Sequence, residues 1–188
     1  TKAQPKEMLP VVNKPIIQWV IEEAVDAGIT DIAIIISKHK QAIENHFKPI
    51  KKLEVALEKA GKKKELDEIR KINSIANLTF IIQEEQKVLG HAILCAEEFV
   101  GDSPFAVLLG DTICKGKPNC TEGLVKIFKE KQSSVFAVEK IEPKDTTRYG
   151  IISGKRIEEG IMLVEKLVEK PEPEDAPSLL GIQGRYIF

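Results

Sequence analysis

The sequence predicts an α/β protein with a mixed, mainly parallel sheet flanked by helices, and three observations carry that class. Apolar strand-like runs alternate with segments of helical period at least four times along the chain. One run, Asp31–Ser37, is β-branched and apolar on both faces, as a strand covered from both sides must be. Another, Phe105–Gly110, is followed at once by Asp111, a polar group at the carboxyl end of a strand, where such sheets present ligand contacts.

The elements follow in order. Pro15 suits the first turn of a helix whose stripe is Ile16, Ile17, Val20, Ile21, Ala24 and Val25, and Gly28 suits its stop. After the strand at Asp31–Ser37, helices are expected at Lys40–Phe47 and across Ile50–Ile72, broken near Gly61. Leu53, Leu57 and Ala60, then Leu66, Ile69 and Ile72, give the two halves one apolar stripe each. A strand at Leu78–Gln83 leads through a loop at Glu84–Leu89 into a helix at Gly90–Phe99. Beyond the Phe105–Gly110 strand come a helix at Thr121–Lys131 and strands at Ser133–Glu139, Tyr149–Ser153, Met162–Glu169 and Gly181–Phe188. Functional groups are therefore expected on the strand-end loops around Thr1–Pro10, Glu84–Gly90 and Asp111.

Composition narrows the classes. At 188 residues, 43% hydrophobic and 30% charged, the chain is globular and of single-domain size, 1–188. No window approaches the roughly 18 apolar residues of a membrane span, and no signal peptide is visible, so a soluble protein without a membrane partner is expected. A net charge of −1 with only 5% aromatic residues disfavours nucleic acid as a partner. The basic excess over Lys51–Lys71 reads as a solvated helical face. Cys95, Cys114 and Cys120 are odd in number and lack CxxC spacing, and His39, His46 and His91 do not cluster with them. Neither a disulfide framework nor a zinc site is expected, and a reducing cytoplasm fits best. The chain opens inside a Pro/Lys-rich loop and stops within the apolar run Gly184–Phe188, so the domain is expected to be incomplete at both ends.

Several residues could carry chemistry. Asp111 can hold Mg²⁺ against phosphate oxygens, as a hard carboxylate does. Lys6, between Pro5 and Pro10, is a cation on a stiffened loop that can offset phosphate charge. Glu169 can accept hydrogen bonds from sugar hydroxyls, and Lys170 can hold a sugar phosphate. The bland alternatives are a turn aspartate, a surface lysine and an exposed charged pair. No Ser-His-Asp or Cys-His arrangement can be argued, so a covalent nucleophile has no support.

In this order the segments become specific. Lys2-x-x-Pro5-Lys6-Glu7-Met8-Leu9-Pro10-x-x-x-Lys14-Pro15, then Leu89-Gly90-His91-Ala92, Leu108-Leu109-Gly110-Asp111, Tyr149-Gly150, Val168-Glu169-Lys170-Pro171 and Gly184-Arg185-Tyr186 together resemble the bacterial-type UTP–glucose-1-phosphate uridylyltransferases of the sugar nucleotidyltransferase family. The resemblance spans essentially the whole chain. It implies a Rossmann-like nucleotidyltransferase fold, UTP and glucose 1-phosphate as substrates, Mg²⁺ as cofactor and a homodimer or homotetramer.

By that resemblance Lys6 contacts the nucleotide phosphates, Asp111 ligates Mg²⁺, Gln83 reads the uracil edge, and Val88 and Gly90 lie beside the base. Gly150 and Glu169 meet the glucose, and Lys170 grips its phosphate. The family's glycine-rich loop would precede Thr1, and a second Mg²⁺ carboxylate would lie beyond Phe188. Val88 stands where the family has a glycine, and a valine would oppose positive φ and crowd the uracil. Leu179 stands where an asparagine usually faces the sugar. The resemblance leaves two alternatives: a transferase using dTTP, or an inactive regulatory subunit that binds sugar nucleotide.

Overall fold

A computed structural model describes residues 4–38, 40–85 and 87–188. Thr1, Lys2 and Ala3 of the opening motif, His39, and Gln86 of the Glu84–Gly90 loop lie outside the described residues. The chain divides into two compact units: Thr1–Phe105 with Leu109–Glu122, and Ala106–Leu108 with Gly123–Phe188.

Unit one begins with a 3-10 turn at Lys6–Met8, a small hairpin of β1 (Pro10–Val11) and β2 (Lys14–Pro15), and helix α1 (Ile16–Asp26). The fixed φ of Pro15 admits the chain to α1, whose Ile17, Val20, Ile21 and Ala24 recur at helical spacing and are buried. Strand β3 (Asp31–Ile36) pairs in parallel with β4 (Asn77–Ile82), in register from Asp31↔Asn77 to Ile36↔Ile82. A parallel pair needs a long crossover. Helices α2 (Gln41–Phe47), α3 (Lys51–Lys59) and α4 (Lys63–Asn73) supply it, with the break at Gly61. Ile17, Ile21, Ile34, Ile36, Ile43 and Phe47 form the core, each contributing about 1.5–3 kcal/mol by leaving water. The expected helix over Gly90–Phe99 is two shorter ones, α5 (Leu89–Leu94) and α6 (Glu97–Val100).

Unit two is a sheet. Strands β5 (Ala106–Leu108), β6 (Val135–Lys140), β7 (Gly150–Glu158), β8 (Ile161–Glu169) and β9 (Leu180–Ile187) pair antiparallel in the order β5-β9-β7-β8, with β6 also on β9. Helix α7 (Cys120–Lys131) precedes β6. The α/β class with helices is as the sequence implies, with parallel and antiparallel pairing in separate sheets. Parallel pairing belongs to β3–β4, while the late strands are antiparallel because β7 and β8 are joined by a two-residue turn, too short for a crossover. A register shift at Ser153/Gly154 brings the carbonyl of Leu163 so close that a Cβ on Gly154 would sit 2.0 Å from it.

Strand β5 is shorter than the apolar run suggests. Leu109 and Gly110 leave the ladder, and Asp111 lies in the turn three residues past Leu108 rather than at the strand's last position.

Candidate active site

In unit one, the loop after β5 and the 3-10 turn before β1 meet. Lys6 Nζ donates to Asp111 Oδ2 and forms an ion pair with it. The ammonium is held above its ordinary pKa by the hydrogen bond to Asp111, with the charges of Asp111 and Glu7 adding to it against partial burial. Burial pushes the Asp111 carboxyl up, but the hydrogen bond and charge of Lys6, together with its own backbone and Thr112, outweigh this and hold it below the ordinary carboxylate value. Both groups are charged at neutral pH. Lys6 stands on the turn because Met8 N–H bonds to Pro5 C=O at 3.0 Å, and Glu7 beside it pairs with Lys40 at 2.6 Å. Two expected site residues, distant in sequence, are thus brought into contact.

Gln83 follows β4 directly, its backbone N–H bonded to the Ile36 carbonyl at 2.8 Å. Its side-chain amide donates to Nδ1 of His91 at 2.9 Å. A ring nitrogen that accepts is unprotonated, so in the neutral ring Nε2 carries the hydrogen. One of the two amide N–H donors is thereby engaged. Val88, the residue before α5, is 80% exposed with φ −64°. This is extended backbone, which a β-branched residue favours over positive φ. A Cβ on Gly90 would meet nothing within 4 Å, so the glycine leaves open space.

In unit two, Gly150 of β7 stands opposite Glu169 of β8 in the antiparallel register. A Cβ on Gly150 would come within 3.1 Å of Glu169 Oε2 and 3.3 Å of Ile182 Cδ1, so the glycine makes room for the carboxylate. Lys170 follows with φ 48°, a left-handed conformation that costs a non-glycine residue about 1–2 kcal/mol. Its N–H bonds to the Tyr149 carbonyl at 3.1 Å, which fixes the turn, and its ammonium lies 3.4 Å from Glu169. Leu179 precedes β9 and its carbonyl accepts from the Ile141 N–H at 2.9 Å, a backbone role open to any side chain. Burial, with the Glu169 charge, raises the Tyr186 phenol, so it stays a protonated donor.

Sequence reasoning did not single out His91 as the partner of Gln83, or Tyr186 as a group in the field of Glu169. Both lie in quoted motifs, but no periodic signal links either pair.

The 1–188 stretch matches the family model described as nucleotidyl transferase over its full length. It is 46% identical over 188 residues to the UTP–glucose-1-phosphate uridylyltransferase YngB of Bacillus subtilis, covering 100% of this chain and 63% of that one. The chain spans about two thirds of the length of the curated relatives it matches. Among solved structures, it is similar to a UTP-bound UGPase from Acinetobacter baumannii (35% identity, TM-score 0.91, 100% of this chain and 67% of that one). It is also similar to a UDP-glucose pyrophosphorylase complexed with UDP-glucose (38% identity, TM-score 0.86, 100% and 68%).

Proposed function

The chain belongs to the nucleotidyl transferase family, and we propose that it transfers a uridylyl group from UTP to glucose 1-phosphate. An oxygen of the sugar phosphate attacks the α-phosphorus in line, the bond from that phosphorus to the β-phosphate oxygen breaks, and UDP-glucose and pyrophosphate leave. Such a reaction needs positioning and charge neutralisation rather than a covalent nucleophile.

The observation that carries the reading is the Lys6–Asp111 pair, a fixed ammonium against an ionised carboxylate on a strand-end loop. Lys6 is a phosphate-binding cation whose raised pKa keeps it charged throughout turnover. Asp111 is a single hard oxygen donor, partly buried and held ionised, which fits Mg²⁺ coordination by one or two carboxylates together with substrate phosphates. Bound there, the ion would supply neutralisation of triphosphate charge. Gln83, oriented by His91, offers a carbonyl oxygen for the uracil imide N–H, with Val88 and Gly90 flanking the base. Glu169, admitted by Gly150, accepts from sugar hydroxyls, and Lys170 binds the sugar phosphate.

The same reading includes a cytoplasmic location and a homo-oligomer of two or four copies. Among the described residues no helix is long and apolar enough to cross a membrane. Leu163 and Leu167 of β8, more than half exposed, are apolar surface that a second copy would cover. Light scattering on the purified protein gives the copy number.

The test is pyrophosphate release by the full-length protein with glucose 1-phosphate and Mg²⁺, exchanging UTP for dTTP. Release with UTP that collapses on Asp111→Ala supports the reading. Faster release with dTTP assigns the other base, and UDP-glucose binding without any release assigns a regulatory subunit.

A further inference from the structure

Outside the proposed active site, unit one gathers three metal-ligating side chains that the sequence keeps apart. Glu23 of α1, Cys114 of the loop after Asp111, and Cys120 at the start of α7 each place one ligand atom within 4.8 Å of the other two. We infer that Glu23, Cys114 and Cys120 form a binding site for a thiophilic divalent cation of the Zn²⁺ type, separate from the Asp111 carboxylate.

The surroundings are those of a held ligand rather than of apolar packing. Glu23 is only 7% exposed. Its Oε1 accepts from the Thr121 hydroxyl at 2.6 Å and from the Thr121 N–H at 3.2 Å. These bonds orient the carboxylate, as outer partners of metal ligands do. The loop carrying both cysteines is fastened to the helix carrying the glutamate. Asn119 donates to the Glu23 backbone carbonyl at 3.2 Å, and its side-chain oxygen accepts from Glu122 N–H at 2.7 Å. Both cysteines are half-buried, which suits access for an ion.

Distances agree with the proposal. With metal–sulfur bonds near 2.3 Å and metal–oxygen bonds near 2.1 Å, tetrahedral ligands stand about 3.5–3.8 Å apart. The three ligand atoms lie within 4.8 Å of one another, about an ångström beyond that range at most. Two thiolates and a carboxylate leave the fourth position for water. Binding balances as two S–H bonds exchanged for two sulfur–metal bonds, with both protons released to solvent. Thiolates prefer Zn²⁺ and related ions to Mg²⁺, whose hard-oxygen preference matches Asp111.

The experiment titrates Co²⁺ and then Cd²⁺ into the reduced, metal-stripped full-length protein in excess Mg²⁺, following thiolate-to-metal charge-transfer absorption. One equivalent should saturate the band, and Zn²⁺ should bleach the Co²⁺ signal. Cys114→Ser and Cys120→Ser should each remove about half the band and weaken binding about tenfold or more, while Cys95→Ser changes nothing. Glu23→Gln should weaken binding with the band retained; if that variant fails to fold, the two serine variants decide alone. A protein with no band at one equivalent overturns the proposal, as does a band that survives both serine variants. Recovery of Cys114 and Cys120 as a disulfide in a protein that binds no cation after reduction also overturns it, and assigns a redox pair instead.

Discussion

Lys6 Nζ is hydrogen-bonded to Asp111 Oδ2 across 105 residues of sequence, so the first turn of the chain and the loop after β5 share one ion pair. Its exposure limits its structural weight, since the Lys6 side chain is 61% accessible and that of Asp111 33%. Screened pairs of this kind stabilise by about 1 kcal/mol or less. Asp111→Asn should therefore shift the unfolding midpoint little while lowering pyrophosphate release by on the order of 10²–10³. The sign of the pH effect follows from the shifts. Asp111 lies below its ordinary 3.8, so the pair's contribution is present above that value and lost as pH falls through the lower folded one. Lys6 lies above 10.5, so the alkaline loss begins only past that value. Denaturant midpoints of wild type and Asp111→Asn should converge in acid and differ most at neutral pH.

The Gly150–Glu169 contact predicts a sugar-specific defect. Gly150→Ala places a methyl about 3.1 Å from the Glu169 carboxylate, which must move. The KM for glucose 1-phosphate should rise about tenfold, the cost of one misplaced charged hydrogen bond, with the KM for UTP unchanged. An equal rise in both would contradict the assignment of Glu169 to the sugar.

In the proposed function His91 orients Gln83, whose amide donates to its Nδ1. His91→Phe removes the acceptor of the Gln83 amide, so the amide can turn and the preference for UTP over CTP, whose base lacks the imide N–H, should fall about fivefold, the equivalent of a single hydrogen bond. Turnover at saturating UTP should hold. A loss of turnover with selectivity intact would make His91 structural only.

Lys170, proposed to bind the sugar phosphate, has a left-handed backbone. Lys170→Gly relieves the φ of 48° and should leave the melting temperature equal or higher, by up to about 1 kcal/mol in stability. Activity should fall through a higher KM for glucose 1-phosphate. A lower melting temperature would mean that the lysine side chain, not the left-handed turn, holds this corner.

His46 gives the protein an acid-sensitive position in unit one. Burial lowers its pKa below 6.5, and Nε2 lies 3.0 Å from the side-chain oxygen of Gln18. Folding is thus disfavoured when the ring must charge, so stability is full above about 6.5 and declines as pH falls below it. His46→Gln should flatten that slope in denaturant titrations at pH 5 to 7, estimated as about one proton's linkage.

How much was legible in the sequence can be argued residue by residue. The stripe of α1, the doubly apolar β3 and the break at Gly61 were readable, because burial imposes a period that a single segment records. The placement of Lys6, Asp111 and the Glu169–Lys170 step at turns was also readable. What the sequence could not supply was any relation between distant residues: Lys6 on Asp111, the amide of Gln83 on His91, or Glu23 on two cysteines without metal-ligand spacing. The antiparallel share of the sheet belongs to the same group, being fixed by which strands short connections bring side by side. Local pattern is written by the hydrophobic effect acting on neighbours in sequence. Pairing, charge partners and ligand sets are written by neighbours in space, and those exist only once the chain has folded.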